Sequence, residues 1–138
     1  MSVDVFPRRS EGISNQLEEI SREFVARCGN EIEGLVITRA DGLVIYAYKV
    51  REQRMDERAI SAMVTAAVGS SRRIFRQLKN GNVSLILIEG DSGKLIIRPI
   101  SIDGREIFIG VLTPSEANLG LIFLELDRYA SRVREILR

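Results

Sequence analysis

The stretch VSLILI at residues 83–88 constrains the fold more than any other part of the sequence. It is apolar at both odd and even positions, and Ser84 is its one exception. Because successive side chains of a strand point to opposite faces, a strand of this kind must be covered on both faces. The stretch therefore predicts a sheet that lies between two layers of helices.

The remaining elements follow from apolar spacing and from turn residues. Helices are predicted at about 15–28, 56–79 and 117–137, because apolar residues recur there three and four positions apart. Strands are predicted at 34–40, 43–49, 82–89, 94–100 and 106–113. The order α-β-β-α-β-β-β-α indicates an α/β sandwich (α+β). One five-stranded antiparallel sheet would carry one long helix on one face and two helices on the other.

Local residues support this order. Asp41-Gly42 predicts a tight hairpin turn, so we interpret Asp41 as a turn residue and not as a catalytic acid. Asp56 is predicted to cap the second helix. Residues 1–12 contain no periodic pattern and are predicted to form a flexible arm, whereas residues 13–138 are predicted to form a single domain.

Composition excludes several classes of chemistry. Histidine is absent and Cys28 is the only cysteine, so histidine-based catalysis, histidine metal sites and intrachain disulfides are excluded. The net charge of +1 predicts no general attraction to nucleic acid. No apolar run approaches the ~20 residues of a membrane span. We therefore expect a cytoplasmic protein without membrane insertion, catalytic residues, metal or cofactor.

One segment resembles the end of a phosphate-binding loop, Gly90-Asp91-Ser92-Gly93-Lys94. The match fails because Ile88 stands where the loop requires its first glycine. The segment also joins two predicted strands and does not open a helix. We therefore do not expect nucleotide binding at this turn.

The second predicted helix has two notable faces. One arc is predicted to cover the sheet, and it includes Ile60, Met63, Val64, Ala67, Val68, Ser71, Ile74, Phe75 and Leu78. A neighbouring arc consists of small residues, namely Ala59, Ala62, Ala66, Gly69 and Ser70. Small side chains allow another helix to approach closely, which favours contact with the same helix of a second subunit across a two-fold axis. Alternatively, alanine is there only because it favours helices.

The same helix carries a basic strip formed by Arg58, Arg72, Arg73 and Arg76. A basic strip on a nearly neutral protein is typical of a docking surface for an acidic partner. The alternative is an ordinary solvated face, since exposed charges usually contribute little.

Three blocks of the sequence resemble the Roadblock family, the dynein light-chain roadblock-type domain. They are EIEGLVITRADGLVIYAY, VSLILIEGDSGKLIIRPI and FIGVLTPSEANLGLIFLEL. The resemblance implies a dimer in which the third strands pair edge to edge and the second helices lie side by side. The residues expected at that interface are Ala59, Ala62, Met63, Ala66, Ser70, Val83, Leu85 and Leu87.

The family also includes prokaryotic regulators of Ras-like GTPases. The resemblance therefore implies a non-enzymatic homodimeric scaffold that binds a Ras-like small GTPase and modulates its nucleotide cycle or localisation. Arg58, Arg72, Arg73 and Arg76 are the residues predicted to contact the partner. One alternative is a structural adaptor of a larger complex without a GTPase. A ligand sensor is a third hypothesis, and an enzyme is the least favoured class.

Overall fold

The computed structural model of the chain describes residues 5–50 and 55–138, with side chains from residue 11 onward. Three helices and five strands follow one another in the predicted order. They are α1 (Val5–Arg27), β1 (Gly34–Arg39), β2 (Val44–Lys49), α2 (Glu57–Leu78), β3 (Ile86–Glu89), β4 (Lys94–Ile102), β5 (Arg105–Thr113) and α3 (Leu119–Leu137).

The five strands form one antiparallel sheet in the order β2-β1-β5-β4-β3. Strands β2 and β3 are therefore its two edges. Helices α1 and α3 pack against each other on one face, and α2 lies alone on the other. The predicted α+β sandwich is confirmed.

Each face of the sheet has its own hydrophobic core. The core under α2 includes Val36, Val64, Val68, Ile97 and Phe108. The larger core under α1 and α3 includes Leu17, Phe24, Ile37, Ile96, Ile109, Leu126 and Val133. Both cores draw on neighbouring positions of β1, β4 and β5, so the sheet is covered on two faces as predicted. The strand from which this was predicted is an exception, because β3 is an edge strand and Leu87 and Ile88 are exposed.

Short-range signals in the sequence set the ends of most elements. The Asp56 carboxylate accepts hydrogen bonds from the backbone N–H groups of Arg58 and Ala59 at 3.2 and 3.3 Å, and so caps α2 as predicted. Asn118 caps α3 through the N–H of Leu121 at 3.1 Å. The β4–β5 turn is tighter than expected, because the positive φ angles of Asp103 and Gly104 close it in two residues.

The first helix begins earlier than predicted. It starts at Val5 and not near residue 15, so residues 5–12 of the predicted flexible arm are helical, while residues 1–4 lie outside the described residues. Pro7 falls in the first turn, where the backbone N–H groups have no helical acceptor and a proline costs no hydrogen bond. The predicted beginning near residue 15 was wrong because residues 1–12 contain no periodic apolar pattern, and that pattern was the only signal used.

The third strand is shorter than predicted. It spans Ile86–Glu89 and not 82–89. In the observed register Ile86 lies opposite Ile97, so two more residues of β3 would bring Ser84 opposite Pro99. Proline has no N–H to donate to a neighbouring strand and is tolerated where a strand is an edge. We infer that β3 ends its pairing there for this reason, and that β4 is itself an edge strand beyond Arg98.

Candidate interaction surfaces

The outward side of α2 carries large apolar residues. Met63, Ile74 and Leu78 are 61%, 56% and 60% exposed, although the sequence predicted that they cover the sheet. The residues that do face the sheet are Ser61, Val64 and Val68, which are almost fully buried. At 100° per residue, the buried face of α2 is rotated by about 60° around the helix axis from the predicted face. The predicted face did not include Ser61, which is fully buried against the sheet.

The small residues of α2 lie next to these exposed apolar side chains. Ala62, Ala66, Gly69 and Ser70 are exposed, and Ala59 is half-buried. With Met63, Ile74 and Leu78 they lie on one side of the helix, which we call the α2 outer face. The exposed Arg73 and Gln77 lie on the same side at 100° per residue. The structure thus brings Ala59, Ala62, Met63, Ala66 and Ser70 together, and it adds Ile74 and Leu78, which the predicted interface lacked.

The outer edge of β3 borders the same side of the molecule. Ile86 and Ile88 lie on the α2 side of the sheet, opposite Ile97 and Leu95 of β4, and Ile88 is 48% exposed. Leu87 is 38% exposed but faces the α1–α3 side, opposite Ile96. The β3 edge therefore exposes an apolar side chain on the same side of the sheet as α2.

Two residues predicted for that edge lie outside the strand. Val83 is only 7% exposed, so the expectation that it lines a free strand margin is corrected. Leu85 is half-buried and packs against the α1–α3 core. Both residues precede Ile86, where the chain has not yet joined the sheet.

The four arginines of α2 do not form one strip. Arg58 is exposed near the beginning of the helix. Arg73 is exposed and donates a hydrogen bond to the Ser70 hydroxyl at 3.3 Å. Arg76 is exposed in the last turn. Arg72 alone is engaged with the body of the protein.

Arg72 forms a two-point ion pair with Glu106 at the beginning of β5. Its Nη1 donates to Glu106 Oε1 at 2.8 Å, and its Nη2 donates to Oε2 of the same carboxylate. The guanidinium also lies over the Phe108 ring, 5.6 Å from its centroid. The hydrogen bonds from Arg72 lower the pKa of Glu106 below its ordinary value. Arg72 is therefore a fixed side chain with its charge neutralised.

An open cleft of about 470 Å³ lies beside this ion pair, between the end of α2 and the β4–β5 hairpin. Its lining includes Arg72, Arg76, Asn82, Val83, Pro99 and Ser101. No motif or spacing in the sequence predicted this cleft. It exists because β3 begins at Ile86 and so does not extend to pair with Pro99, which lies thirteen residues further along the sequence.

The glycine-rich turn between β3 and β4 has a structural role. Gly90 N–H donates to the Gly93 carbonyl at 2.8 Å and closes the turn. Lys94 is 8% exposed, and its ammonium forms an ion pair with Glu89 at 3.1 Å and donates to the carbonyl of Ser115. A lysine held in this way is not available to a phosphate.

Other reactive groups are few in the part of the chain that the structure describes. Within residues 11–50 and 55–138, no group of three His, Cys, Asp or Glu residues could hold a metal ion. Burial raises the pKa of the Cys28 thiol to about 12, so it stays protonated at neutral pH. No helix among the described residues is long and apolar enough to cross a bilayer.

Comparison with known proteins gives a consistent result for the sequence. A family model described as "Roadblock/LC7 domain" matches residues 28–113. Two uncharacterised proteins of Methanocaldococcus jannaschii, MJ0310 and MJ1340, are each 31% identical to the chain over 103 residues. These residues cover 75% of this chain and 85% of each relative.

Solved structures have the same fold at low identity. Myxococcus xanthus MglB is 12% identical with a TM-score of 0.75, covering 89% of this chain and 88% of its own. A structure described as MglB with tetrameric arrangement is 13% identical with a TM-score of 0.78, covering 90% and 89%. A Roadblock/LC7 domain from Streptomyces avermitilis is 20% identical with a TM-score of 0.66, covering 78% and 86%.

Proposed function

The chain belongs to the Roadblock/LC7 domain family, and on that premise we propose that it is a non-enzymatic homodimeric scaffold for a Ras-like small GTPase. In this role it binds the GTPase and modulates its nucleotide cycle or its localisation. A rigid surface that prefers one state of the GTPase switch loops shifts their population toward that state. No residue of this chain is assigned a chemical step.

The α2 outer face is the observation that carries the proposal. Scattered apolar side chains on a surface need no explanation, but contiguous ones mark a binding site. Met63, Ile74 and Leu78 are all more than half exposed and lie along one side of the same helix. Each large side chain that is removed from water contributes about 1.5–3 kcal/mol, so covering this face provides a strong drive for association.

A second copy of the chain is the occupant that fits this face best. The small side chains of Ala62, Ala66 and Gly69 allow a second α2 to approach closely. The β3 edge has unpaired backbone groups that another β3 would satisfy. A two-fold axis between the copies meets both requirements, because it places identical surfaces against each other. The MglB structure with a tetrameric arrangement gives a precedent for assembly in this fold.

Sedimentation of the purified chain tests the homodimer. We expect a dimer at micromolar concentration, and we expect Ala66→Glu to weaken the dimer by at least tenfold, because it buries a carboxylate at the interface. Ala26→Glu is the matched control, since Ala26 is an exposed alanine of α1. It should leave the dimer intact. A wild-type chain that sediments as a monomer at tens of micromolar would overturn this part of the proposal.

Binding to small GTPases from the same genome tests the rest. Each GTPase is loaded with GDP or with a non-hydrolysable GTP analogue and titrated with the dimer. We expect at least one GTPase to bind in a nucleotide-dependent manner. Equal and negligible binding in both nucleotide states would contradict the GTPase role. Tight binding to another protein that is insensitive to nucleotide would instead assign the chain to the adaptor class.

A further inference from the structure

We propose that the cleft between the end of α2 and the β4–β5 hairpin is a docking site for a single acidic side chain in an extended segment of a protein partner. The inference adds a specific contact to the proposed scaffold role and rests on that role for its biological setting. It does not require the partner to be a GTPase.

The cleft is open because the sheet is incomplete at this point. From Arg98 onward, β4 has no paired strand on its outer side within the described part of the chain, since β3 begins at Ile86 opposite Ile97. The segment before β3 leaves the plane of the sheet, and Val83 is buried in the body of the protein. The space of about 470 Å³ that remains has Val83, Pro99 and Ile100 as its apolar lining.

Three side chains that line the cleft have no partner among the residues that the structure describes. The Arg76 guanidinium, the Asn82 amide and the Ser101 hydroxyl make no hydrogen bond or ion pair with any residue that the structure describes. All three residues are exposed. A carboxylate accepts up to four hydrogen bonds and matches the fork of an arginine, so it is the complementary ligand for such a set.

The charge of the cleft suits one carboxylate better than a phosphate. Arg72 and Glu106 neutralise each other through their two hydrogen bonds, so Arg76 provides the one unpaired charge among the lining residues described. A phosphate monoester has a charge near −2 and would be only half compensated. The apolar lining beside Arg76 suits the neighbouring side chains of a peptide, which a free anion lacks.

The end of a helix ordinarily repels an anion, because its last carbonyls carry partial negative charge. Here the Lys79 and Asn80 N–H groups already donate to the carbonyls of Arg76 and Phe75, at 3.2 and 3.0 Å. These bonds satisfy part of the exposed carbonyl array. The positive charge of Arg76 then dominates the field in the cleft.

The cleft lies at the C-terminal end of α2. At 100° per residue, Arg76 is about 160° around the helix from Ile74 and Leu78, and Gly69, only about 20° away in angle, lies about two turns earlier along the helix. The cleft is formed by residues of one chain, so each copy in a dimer would carry its own.

Peptide binding followed by NMR on the full chain tests the proposal. The probe is an acetylated, amidated pentapeptide with one glutamate between valine and proline residues, and its twin contains glutamine instead. We expect saturable shifts at the Asn82 and Ser101 amides and at the Arg76 side-chain N–H. Affinity should fall at least fivefold for the glutamine twin and for Arg76→Ala.

Arg22→Ala is the matched control, because Arg22 is an exposed arginine of α1 that is paired with Glu18. It removes one positive charge far from the cleft and should leave peptide affinity unchanged. An equal loss in Arg22→Ala would show that only net charge matters and would overturn the proposal. Shifts elsewhere on the surface, an equal affinity for the twin, or tighter saturation of the same resonances by inorganic phosphate alone would also overturn it.

The result is separable from the proposed function. The Ala66→Glu variant should retain peptide binding, because the cleft lies within one chain. Loss of GTPase binding in every nucleotide state with intact peptide binding would overturn the GTPase role and leave the acidic docking site standing. Failure of peptide binding with intact GTPase binding would overturn the acidic docking site and leave the GTPase role standing.

Discussion

The two helical layers of this protein differ in how many large apolar side chains their outer sides expose. Across the α1–α3 layer, Glu23 is bonded by both Arg27 and Arg132, and other outward charges are paired in the same way. Leu124 is the one large apolar side chain of these helices that is more than half exposed in the described residues. The α2 layer instead exposes Met63, Ile74 and Leu78. The α2 layer therefore leaves more large apolar side chains exposed than the α1–α3 layer does.

The difference follows from the number of helices on each face. α1 and α3 share one face of the sheet, and each covers a flank of the other through contacts such as Phe24 with Tyr129. α2 covers the opposite face alone, so both of its flanks are open. An apolar flank without a neighbour inside the chain is typical of a surface that another molecule covers.

The largest effect should come from truncating a leucine in each layer. Leu126 of α3 is 1% exposed, and Leu126→Ala should lower the free energy of unfolding by about 2–5 kcal/mol. Leu78 of α2 is 60% exposed, and Leu78→Ala should change the stability of the isolated subunit by no more than about 0.5 kcal/mol. Urea unfolding at several protein concentrations measures both effects.

The concentration series separates the two layers further. Dimer affinity should fall for Leu78→Ala, because the leucine belongs to the α2 outer face. In Leu126→Ala the loss of stability should persist at dilutions where the dimer dissociates. A loss of several kcal/mol for Leu78→Ala in the monomeric state would mean that Leu78 packs within its own chain, contrary to the comparison of the layers.

A smaller effect is expected where α2 approaches the sheet. A Cβ atom on Gly110 would lie 3.1 Å from Val64 Cγ2 and 3.2 Å from Val36 Cγ1. Gly110→Val should therefore push α2 outward and cost about 1–3 kcal/mol. Thermal or urea unfolding of the variant measures this cost.

Gly120 of α3 is the matched glycine in the other layer. A Cβ there meets only Asn118 Oδ1, at an ordinary 3.7 Å, so Gly120→Ala should stabilise the protein by about 0.4–1 kcal/mol. A loss of stability for Gly110→Val together with a gain for Gly120→Ala would support the contrast between a closely packed site and an open one. If both variants were equally stable, the close approach of α2 to Gly110 would not exist in solution.

The smallest effect concerns the loss of folding stability at low pH, and here the two layers should behave alike. Hydrogen bonds from Arg132 and Arg27 lower the pKa of Glu23, and those from Arg72 lower the pKa of Glu106, both below an ordinary value of 4.5. Because each folded-state pKa is lowered, the stabilisation is complete above pH 4.5. It is lost as the pH falls through the folded-state value.

Glu23→Gln and Glu106→Gln should each remove part of this acid sensitivity. The side chains of Glu23 and Glu106 are 39% and 40% exposed, so solvent screening keeps both contributions small. Unfolding midpoints measured from pH 3 to 7 should show the wild type and each variant converging toward low pH. If the midpoints of the wild type and a variant instead moved apart as the pH fell, the ion pair of that glutamate would not stabilise the folded state in the way described.

Sequence reasoning predicted the parts of the fold that depend on neighbouring residues. The cap at Asp56 and the hairpin at Asp41-Gly42 each lie within a few residues of the groups they bond. It also predicted the two covered faces of the sheet, since strand periodicity needs no knowledge of partners. The element order and the α+β sandwich followed from these signals.

It failed where distant residues decide the outcome. The length of β3 depends on Pro99 of another strand, and the rotation of α2 depends on the burial of Ser61 against the sheet. The four arginines do not act as one basic strip, because Arg72 pairs with Glu106, which lies 34 residues away in sequence. The cleft beside Arg76 could not be predicted either, because it requires both the shortened strand and that ion pair.

The brevity of β3 has a further consequence for how two such chains would recognise each other. Four residues can form only a short ladder, so an edge-to-edge sheet would set the alignment of two copies while contributing little adhesion. Adhesion would then depend on the helix beside it, whose surface can diverge without disturbing that alignment. A duplicated and diverged copy could in this way exchange one neighbour for another and keep the same geometry.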